Sequence, residues 1–237
     1  MHRTGEVCAI ILAGGSGERF GRTGGKQLAV ASGRPILSWT LEAFDRCEAV
    51  DSIVLVCPGD RQTEYAEAAL EGLDLKTPIA YATSGSTRQA SMASGLELVP
   101  ERTSIVAVHD GARPLIAPET VVRAIALFDD EAVDGVVVGH PSYDTLKMVD
   151  GTRVIETPDR SRFWQAQTPQ IFRRTVLEGA LAKATADGYL GTDDSAIVEH
   201  AGGRVVMFDA PRENIKVTVA EDIAYVEAAL RCRSEER

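Results

Sequence analysis

The sequence lacks a long apolar run. The N-terminal one, Val7–Ala13, is too short for a membrane span, and no cleavage-site pattern follows it. Cysteine is scarce. Cys8, Cys47, Cys57 and Cys232 stand far apart with no C-x-x-C pair, which leaves neither a zinc-site spacing nor a disulfide framework. Cys8 and Cys57 fall in apolar, strand-like runs and read as small buried side chains. A reduced, cytoplasmic protein is expected. Positive charge is in deficit: 25 Lys and Arg face 35 Asp and Glu, a formal net charge of -10. Such a chain repels nucleic acid and anionic membranes, so neither is an expected partner. The four histidines form no triad. His2 and His200 read as peripheral, His140 begins a hairpin, and His109 ends a strand as a hydrogen-bonded structural residue. No G-x-S-x-G elbow occurs.

A glycine-rich run is present instead. Leu12-Ala13-Gly14-Gly15-Ser16-Gly17-Glu18-Arg19-Phe20-Gly21 ends the first apolar segment, and Lys26 follows it. Glycines let the backbone turn sharply and aim its N–H groups at phosphate oxygens. Arg19 and Lys26 add two cations to the same loop, which suits a polyphosphate. An acidic chain repels such a ligand unless cations cluster locally, so their positions are informative. Two familiar phosphate motifs are excluded. G-x-x-x-x-G-K-[ST] fails at Phe20 and Gln27, and G-x-G-x-x-G fails because Phe20 fills its third glycine position.

At 237 residues and 44% hydrophobic content, the chain suits one domain, 1–237, with a full core. Strands are expected at Val7–Ala13, Ser52–Cys57, Pro78–Ala82, Ser104–His109, Asp134–Gly139 and Arg204–Phe208. Helical spacing covers Ile36–Arg46, Asp60–Glu71, Ser86–Leu98 and Pro118–Phe128. Ser86 with Gln89, and Thr218 with Glu221, fit capping boxes. The alternation implies an α/β fold with a mostly parallel sheet between helices, and a ligand site beyond the strands' carboxyl ends. The loops after Ala13, Ala82 and His109 are expected to gather there. The alternation breaks at about 140–165, where Asp150-Gly151 between two β-prone runs signals a hairpin. An isolated hairpin is marginal in water, so this inserted β-arm is expected to pack on something, a second subunit being a natural candidate.

Several polar motifs sit at element ends. In His109-Asp110-Gly111-Ala112-Arg113-Pro114, the aspartate suits Mg²⁺, a ribose hydroxyl, or a turn-shaping ion pair with Arg113. Ser84-Gly85-Ser86-Thr87-Arg88-Gln89-Ala90-Ser91 offers a glycine, hydroxyls and a helix start, or an ordinary capped helix. Asp144-Thr145-Leu146-Lys147, Asp159-Arg160 and Thr168-Pro169-Gln170 cluster around the hairpin. In Asn214-Ile215-Lys216-Val217-Thr218, a strand-like run, the lysine either snorkels to solvent or faces a site.

The ordered set L-A-G-G-x-G-x-R-x-G, K-Q, H-D-x-A-R-P, D-T-x-K, D-R-x-x-x-W-x-x-Q-T-P-Q-x-F and N-I-K-V-T strongly resembles the 2-C-methyl-D-erythritol 4-phosphate cytidylyltransferase family, from about Val7 to Ala229. The resemblance implies a Rossmann-like nucleotidyltransferase with a protruding β-arm, a homodimer, CTP and Mg²⁺, acting in non-mevalonate isoprenoid biosynthesis. By that resemblance, Arg19 and Lys26 match the transition-state-stabilising cations. Arg160 and Lys216 match the residues that hold the sugar phosphate. Ala13, Gly14, Gly15, Gly85, Ser86 and Ser91 match the CTP pocket, with Asp110 beside the nucleotide and its metal. Thr145, Arg160 and Thr168 match the methylerythritol phosphate pocket, with Lys216 and Arg113 also on the substrate side. The arm is expected to cross the dimer.

The sequence departs from the family at Gly25, where proline is common, at Ser84 for glycine, and at Ser86 for an acidic residue. Pro141-Ser142-Tyr143 replaces the usual residues before D-T-x-K. Two other readings are carried. One is a ribitol 5-phosphate cytidylyltransferase, against which Lys147 and Trp164 speak. The other is a non-catalytic nucleotide-binding regulator, against which the retention of Arg19 and Lys26 speaks.

Overall fold

A computed structural model describes residues 5–15 and 25–235. The chain opens with β1 (Glu6–Leu12), the short pair β2 (Val30–Ala31) and β3 (Arg34–Pro35), and α1 (Ile36–Asp45). Then come β4 (Ser52–Cys57), α2 (Gln62–Leu70), β5 (Ile79–Thr83), α3 (Arg88–Leu96), β6 (Thr103–Asp110) and α4 (Pro118–Ile125). The remainder holds β7 (Gly135–Pro141), β8 (Met148–Asp150), β9 (Arg153–Glu156), β10 (Trp164–Arg173), α5 (Arg174–Ala186), α6 (Asp194–His200), β11 (Val205–Asp209) and α7 (Asp222–Glu235). The expected strands and helices are all present, shifted at their ends by a few residues.

Seven strands form one sheet in the order β11-β7-β10-β6-β1-β4-β5. All its pairings are parallel except those of β10, which runs antiparallel between β6 and β7. Strand alternation divides the core. On β1, Val7, Ala9 and Ile11 face one layer with Leu37, Leu41 and Phe44 of α1, Tyr65 of α2 and Val121 of α4. Cys8, Ile10 and Leu12 face the other layer with Met92 of α3, Leu177 of α5 and Val198 of α6. A strand buried on both faces carries a continuous apolar run, as this one does. Each fully buried Ile or Leu contributes about 1.5–3 kcal/mol relative to exposure. This core makes the sheet a rigid platform, and its carboxyl edge carries the site.

The strand β10 was not among the expected ones. Its Gln167, Thr168, Pro169 and Gln170 interrupt the apolar pattern, and the register with β7 shifts between Ala166 and Gln170. Such a bulge accommodates a proline inside a sheet. The hairpin is confirmed as β8–β9. Asp150 pairs with Arg153, so the two-residue turn is Gly151-Thr152, with Gly151 at φ 58°. Two capping expectations are corrected. The cap of α3 is Thr87, whose hydroxyl accepts from Ala90 N, not Ser86. Before α7, Thr218 is met by Asp222, whose carboxylate accepts from the Thr218 and Val219 N–H groups, not by Glu221. The Asn214–Thr218 segment is not a strand, and its Val217 N–H reaches Ala112 O.

Candidate active site

The described start of the loop after β1 (residues 13–15) meets the loops after β5 and β6 at the sheet's carboxyl edge, as expected. They enclose a cleft of about 350 Å³ lined by Gly14, Gly15, Lys26, Gly85, Ser86, Arg88, Ser91, Asp110 and Lys216, among others. The backbone of β1 runs on into this edge through Ala13, whose N–H donates to Val56 O. Gly14 then passes Ser84 so closely that a Cβ there would lie 2.2 Å from Ser84 Cβ. The Ser84 departure is thus accommodated by the absence of a side chain at 14. In the second loop, Ser91 Oγ accepts from Gly85 N and donates to Thr87 O, tying the loop to the first turn of α3. The exposed Ser86 sits at the tip of this tie.

Three cations, Lys26, Arg88 and Lys216, line the cleft against one carboxylate, Asp110, among the described residues. In a chain of net charge -10, this local excess is what an anionic ligand requires. Asp110 Oδ2 lies 3.0 Å from Lys216 Nζ and 3.3 Å from Arg113 Nε, and its Oδ1 lies 3.7 Å from Arg88 Nε. Burial opposes ionisation of Asp110, but the charges of Lys216, Arg88 and Arg113 outweigh it and hold the carboxyl well below the usual range. Arg88 continues to the buried Asp194, with Nη1 2.6 Å from Oδ2. No group of three or more His, Cys, Asp or Glu that could cage a metal occurs among the described residues.

The expected site residues among the described ones fall into three sets. Gly14, Gly15, Lys26, Gly85, Ser86, Ser91, Asp110 and Lys216 line the cleft. Ala13, Thr168 and Arg113 lie behind it. Thr168 Oγ1 accepts from Asp110 N, and Arg113 Nη1 donates to Asn214 O while its Nε faces Asp110. Arg113 is therefore the turn-shaping partner of Asp110 in this chain, not a lining residue. Thr145 and Arg160 are exposed on the arm and are not among the cleft's lining residues; Arg160 donates to Tyr143 O. Arg19 lies outside the described residues. Arg88 belongs to the Ser84–Ser91 motif, and its own cue in the sequence is a cation at a helix start three residues after Gly85. Asp194 gave no motif signal. Gly25 stands at φ 78°, a backbone conformation closed to proline, so this departure alters the approach to Lys26 itself.

His109 is structural, as expected. Its Nε2 faces Arg113 O at 3.2 Å, which can only accept, so Nε2 carries the proton. Nδ1 then accepts from Thr168 Oγ1 at 3.1 Å, leaving that oxygen to accept from Asp110 N. Burial pushes the imidazole down to about 3. An unfolded histidine titrates near ~6.5, so between those values the unfolded chain binds a proton that the folded chain refuses. Folding stability therefore falls as pH drops through that window, by about 1.4 kcal/mol per pH unit from this residue. Urea midpoints measured between pH 7 and pH 5 are expected to fall accordingly, and H109Q to flatten the slope by about one proton. Equal slopes in the two proteins would remove His109 from the acid response.

The chain and its fold match known proteins. The family model for 2-C-methyl-D-erythritol 4-phosphate cytidylyltransferase matches residues 7–232. Proteins of that name from Caldanaerobacter subterraneus subsp. tengcongensis and a Synechococcus strain are 37% and 40% identical to this chain. The first alignment covers 95% of this chain and 99% of the relative, the second 94% and 99%. The solved 4-diphosphocytidyl-2C-methyl-D-erythritol synthase from Anaerococcus prevotii superposes with a TM-score of 0.82 at 29% identity, over 95% of this chain and 96% of that one. The solved 2-C-methyl-D-erythritol 4-phosphate cytidylyltransferase from Thermus thermophilus gives 0.78 at 28%, over 95% and 99%. Matched by that family model over residues 7–232 and by these relatives over nearly its whole length, the chain belongs to the 2-C-methyl-D-erythritol 4-phosphate cytidylyltransferase family.

Proposed function

We propose that the protein transfers a cytidylyl group from CTP to 2-C-methyl-D-erythritol 4-phosphate and releases pyrophosphate. The observation that carries this reading is the cleft itself, lined by Lys26, Arg88 and Lys216 together with the buried Asp110 and the glycines Gly14, Gly15 and Gly85. A phosphate oxygen of the sugar phosphate attacks the α-phosphorus of CTP. The new P–O bond forms as the bond to the bridging oxygen breaks, and pyrophosphate leaves with the electron pair. A phosphate monoester is largely ionised at pH 7, its second pKa being about 6, so no protein base is required. This agrees with a His109 that is buried, neutral and occupied. The task is to bring two anions together and to stabilise the charge that builds up, which is a matter of positioning and electrostatics. Lys26 serves the leaving phosphates, joined by Arg19. Lys216 and Arg160 hold the sugar phosphate, Lys216 as a point charge and Arg160 through its planar fork.

Asp110 fits a divalent cation as a single oxygen ligand, because Lys216 and Arg113 engage only its Oδ2. Asp110 would hold the ion through its other oxygen, Oδ1, and nucleotide phosphates and water would be its further partners, as is usual for Mg²⁺ at nucleotides. When bound, the ion offsets negative charge on the phosphates.

The active unit in this reading is a homodimer joined through the arm. Met148, Val149, Val154 and Ile155 on the β8–β9 hairpin are 51–61% exposed, and a two-stranded sheet alone is marginally stable in water. A partner surface supplies the missing burial, and it brings Thr145 and Arg160 to the neighbour's cleft. No helix among the described residues is long and apolar enough to cross a membrane, and the working place proposed is the cytoplasm.

The test is pyrophosphate release with Mg²⁺, offering CTP or ATP with methylerythritol phosphate or ribitol 5-phosphate. Release is expected with CTP and methylerythritol phosphate alone, because small residues at Gly14–Gly15 and Gly85–Ser91 frame a slot suited to a pyrimidine. Release with ribitol 5-phosphate instead would move the protein to that relative's activity. CTP binding without release would make it a regulator.

A further inference from the structure

We propose that Asp194 is a positioning residue for this site, holding the Arg88 guanidinium back from Asp110 so that one oxygen of that carboxylate stays open to the nucleotide or its cation. The proposal rests on the CTP reading above. Its basis is a set of contacts built by β10. Thr168 and Gln170 lie two residues apart, within the bulged stretch of that strand. Thr168 Oγ1 accepts from Asp110 N at 3.0 Å. Gln170 Oε1 accepts from Asp194 N at 3.0 Å and from Ser195 N at 2.9 Å, while its Nε2 donates to Asp193 Oδ2 at 2.7 Å. Asp193 Oδ1 in turn caps α6 through Ala196 N. One strand thus sets the backbone of both carboxylates, and Arg88 spans the space between them.

The spacing is unequal in a useful way. Arg88 is 2.6 Å from Asp194 but 3.7 Å from Asp110. Arginine and carboxylate left to themselves close into a two-pronged pair, which would occupy Asp110 Oδ1. Asp194 competes for the same guanidinium. Its side chain is 2% exposed, and a carboxylate so buried is costly unless it has a cation as partner. Burying it here secures one end of Arg88 away from the cleft. Asp110 Oδ2 is already engaged by Lys216 and Arg113, so the state of Oδ1 decides whether the carboxylate can take a ligand.

The test is titration calorimetry of the full chain with CTP and Mg²⁺, alongside steady-state kinetics, for Asp194→Asn, Arg88→Gln and the double variant. Thermal melts establish that each is folded. Asp194→Asn is expected to weaken Mg²⁺·CTP about 10- to 100-fold, as loss of a supporting partner does at other metal sites, with the KM for methylerythritol phosphate unchanged within about twofold. If Asp194 acts through Arg88, removing its charge once residue 88 is neutral matters little. The double variant is then expected to match Arg88→Gln within about twofold, where independent effects would multiply. That comparison stands even if Asp194→Asn alone does not fold. Wild-type affinity in Asp194→Asn, equal losses for both substrates, or multiplied losses in the double variant overturns the proposal. A wild-type chain that binds Mg²⁺·CTP without turnover overturns only the catalytic reading. One that does not bind it overturns both.

Discussion

An Arg160→Ala chain and a Lys26→Ala chain, each nearly inactive alone, are expected to recover activity when mixed and allowed to exchange subunits. Lys26 lines the cleft, whereas Arg160 is exposed on the arm, away from the cleft-lining residues of its own subunit. Loss of a charge-stabilising donor such as Lys26 lowers turnover by about 10²–10³. Loss of Arg160 removes the fork that grips the sugar phosphate and is expected to raise its KM far more than that of CTP. In a two-fold dimer whose arms cross, the mixed species has one site carrying both defects and one carrying neither. Random exchange makes half the dimers mixed, so activity is expected to reach about a quarter of wild type. Demonstrated heterodimers without recovery would assign Arg160 to its own subunit's site and end the crossing-arm reading.

Asp110→Asn is expected to damage both stability and turnover. The substitution keeps the shape and removes the charge on which Lys216, Arg113 and Arg88 converge. Breaking such a buried cluster from one side costs about 3–5 kcal/mol, because the remaining charges are left facing one another. For a chain of this size, that lowers the melting temperature by about 6–20 °C. Turnover is expected to fall about 10²-fold, and added Mg²⁺ is not expected to restore it. The pH dependence has a definite sign. The folded pKa of Asp110 lies below its unfolded value, so the wild-type carboxylate stabilises the fold above pH ~4 and loses that contribution as pH falls further. The stability gap between wild type and variant therefore narrows in acid. A gap that widens, or a variant that melts and responds to Mg²⁺ like wild type, would contradict the assigned role of this carboxylate.

Much of the fold was legible in one dimension because burial on both faces of a parallel sheet leaves unmistakable apolar runs. Val7–Ala13, Ser52–Cys57 and Ser104–His109 are of this kind, and all three became adjacent central strands. The strand β10 was not legible, although it is equally central. Its polar residues lie behind the cleft and hydrogen-bond Asp110, Asp194 and Asn214, and that polar run hides the strand signal. The loop residues of the cleft were readable for a related reason. Glycines and a cation gathered in one loop at a strand end have few purely structural explanations, which marks Gly14, Gly15 and Lys26; Gly85, in a motif that also reads as an ordinary capped helix start, is marked only by the family resemblance. Asp194 carried no such mark, since an aspartate near a helix start is usually only a cap.

From the sequence alone came the α/β class, the carboxyl-edge location of the site, the hairpin and the family. Each follows from short-range pattern: periodicity, turn chemistry and the order of motifs. Only the tertiary structure decided which polar residues meet the ligand space and which support it. Arg113 and Thr168 went behind Asp110, and Thr145 and Arg160 went out onto the arm. Arg88 was drawn between two carboxylates, one of them Asp194, which is far away in sequence. The reason is physical. A hydrogen bond or ion pair is fixed by ångström-scale distance and direction, and these are set by how strands far apart in the chain register within the sheet, not by the residues that flank each group.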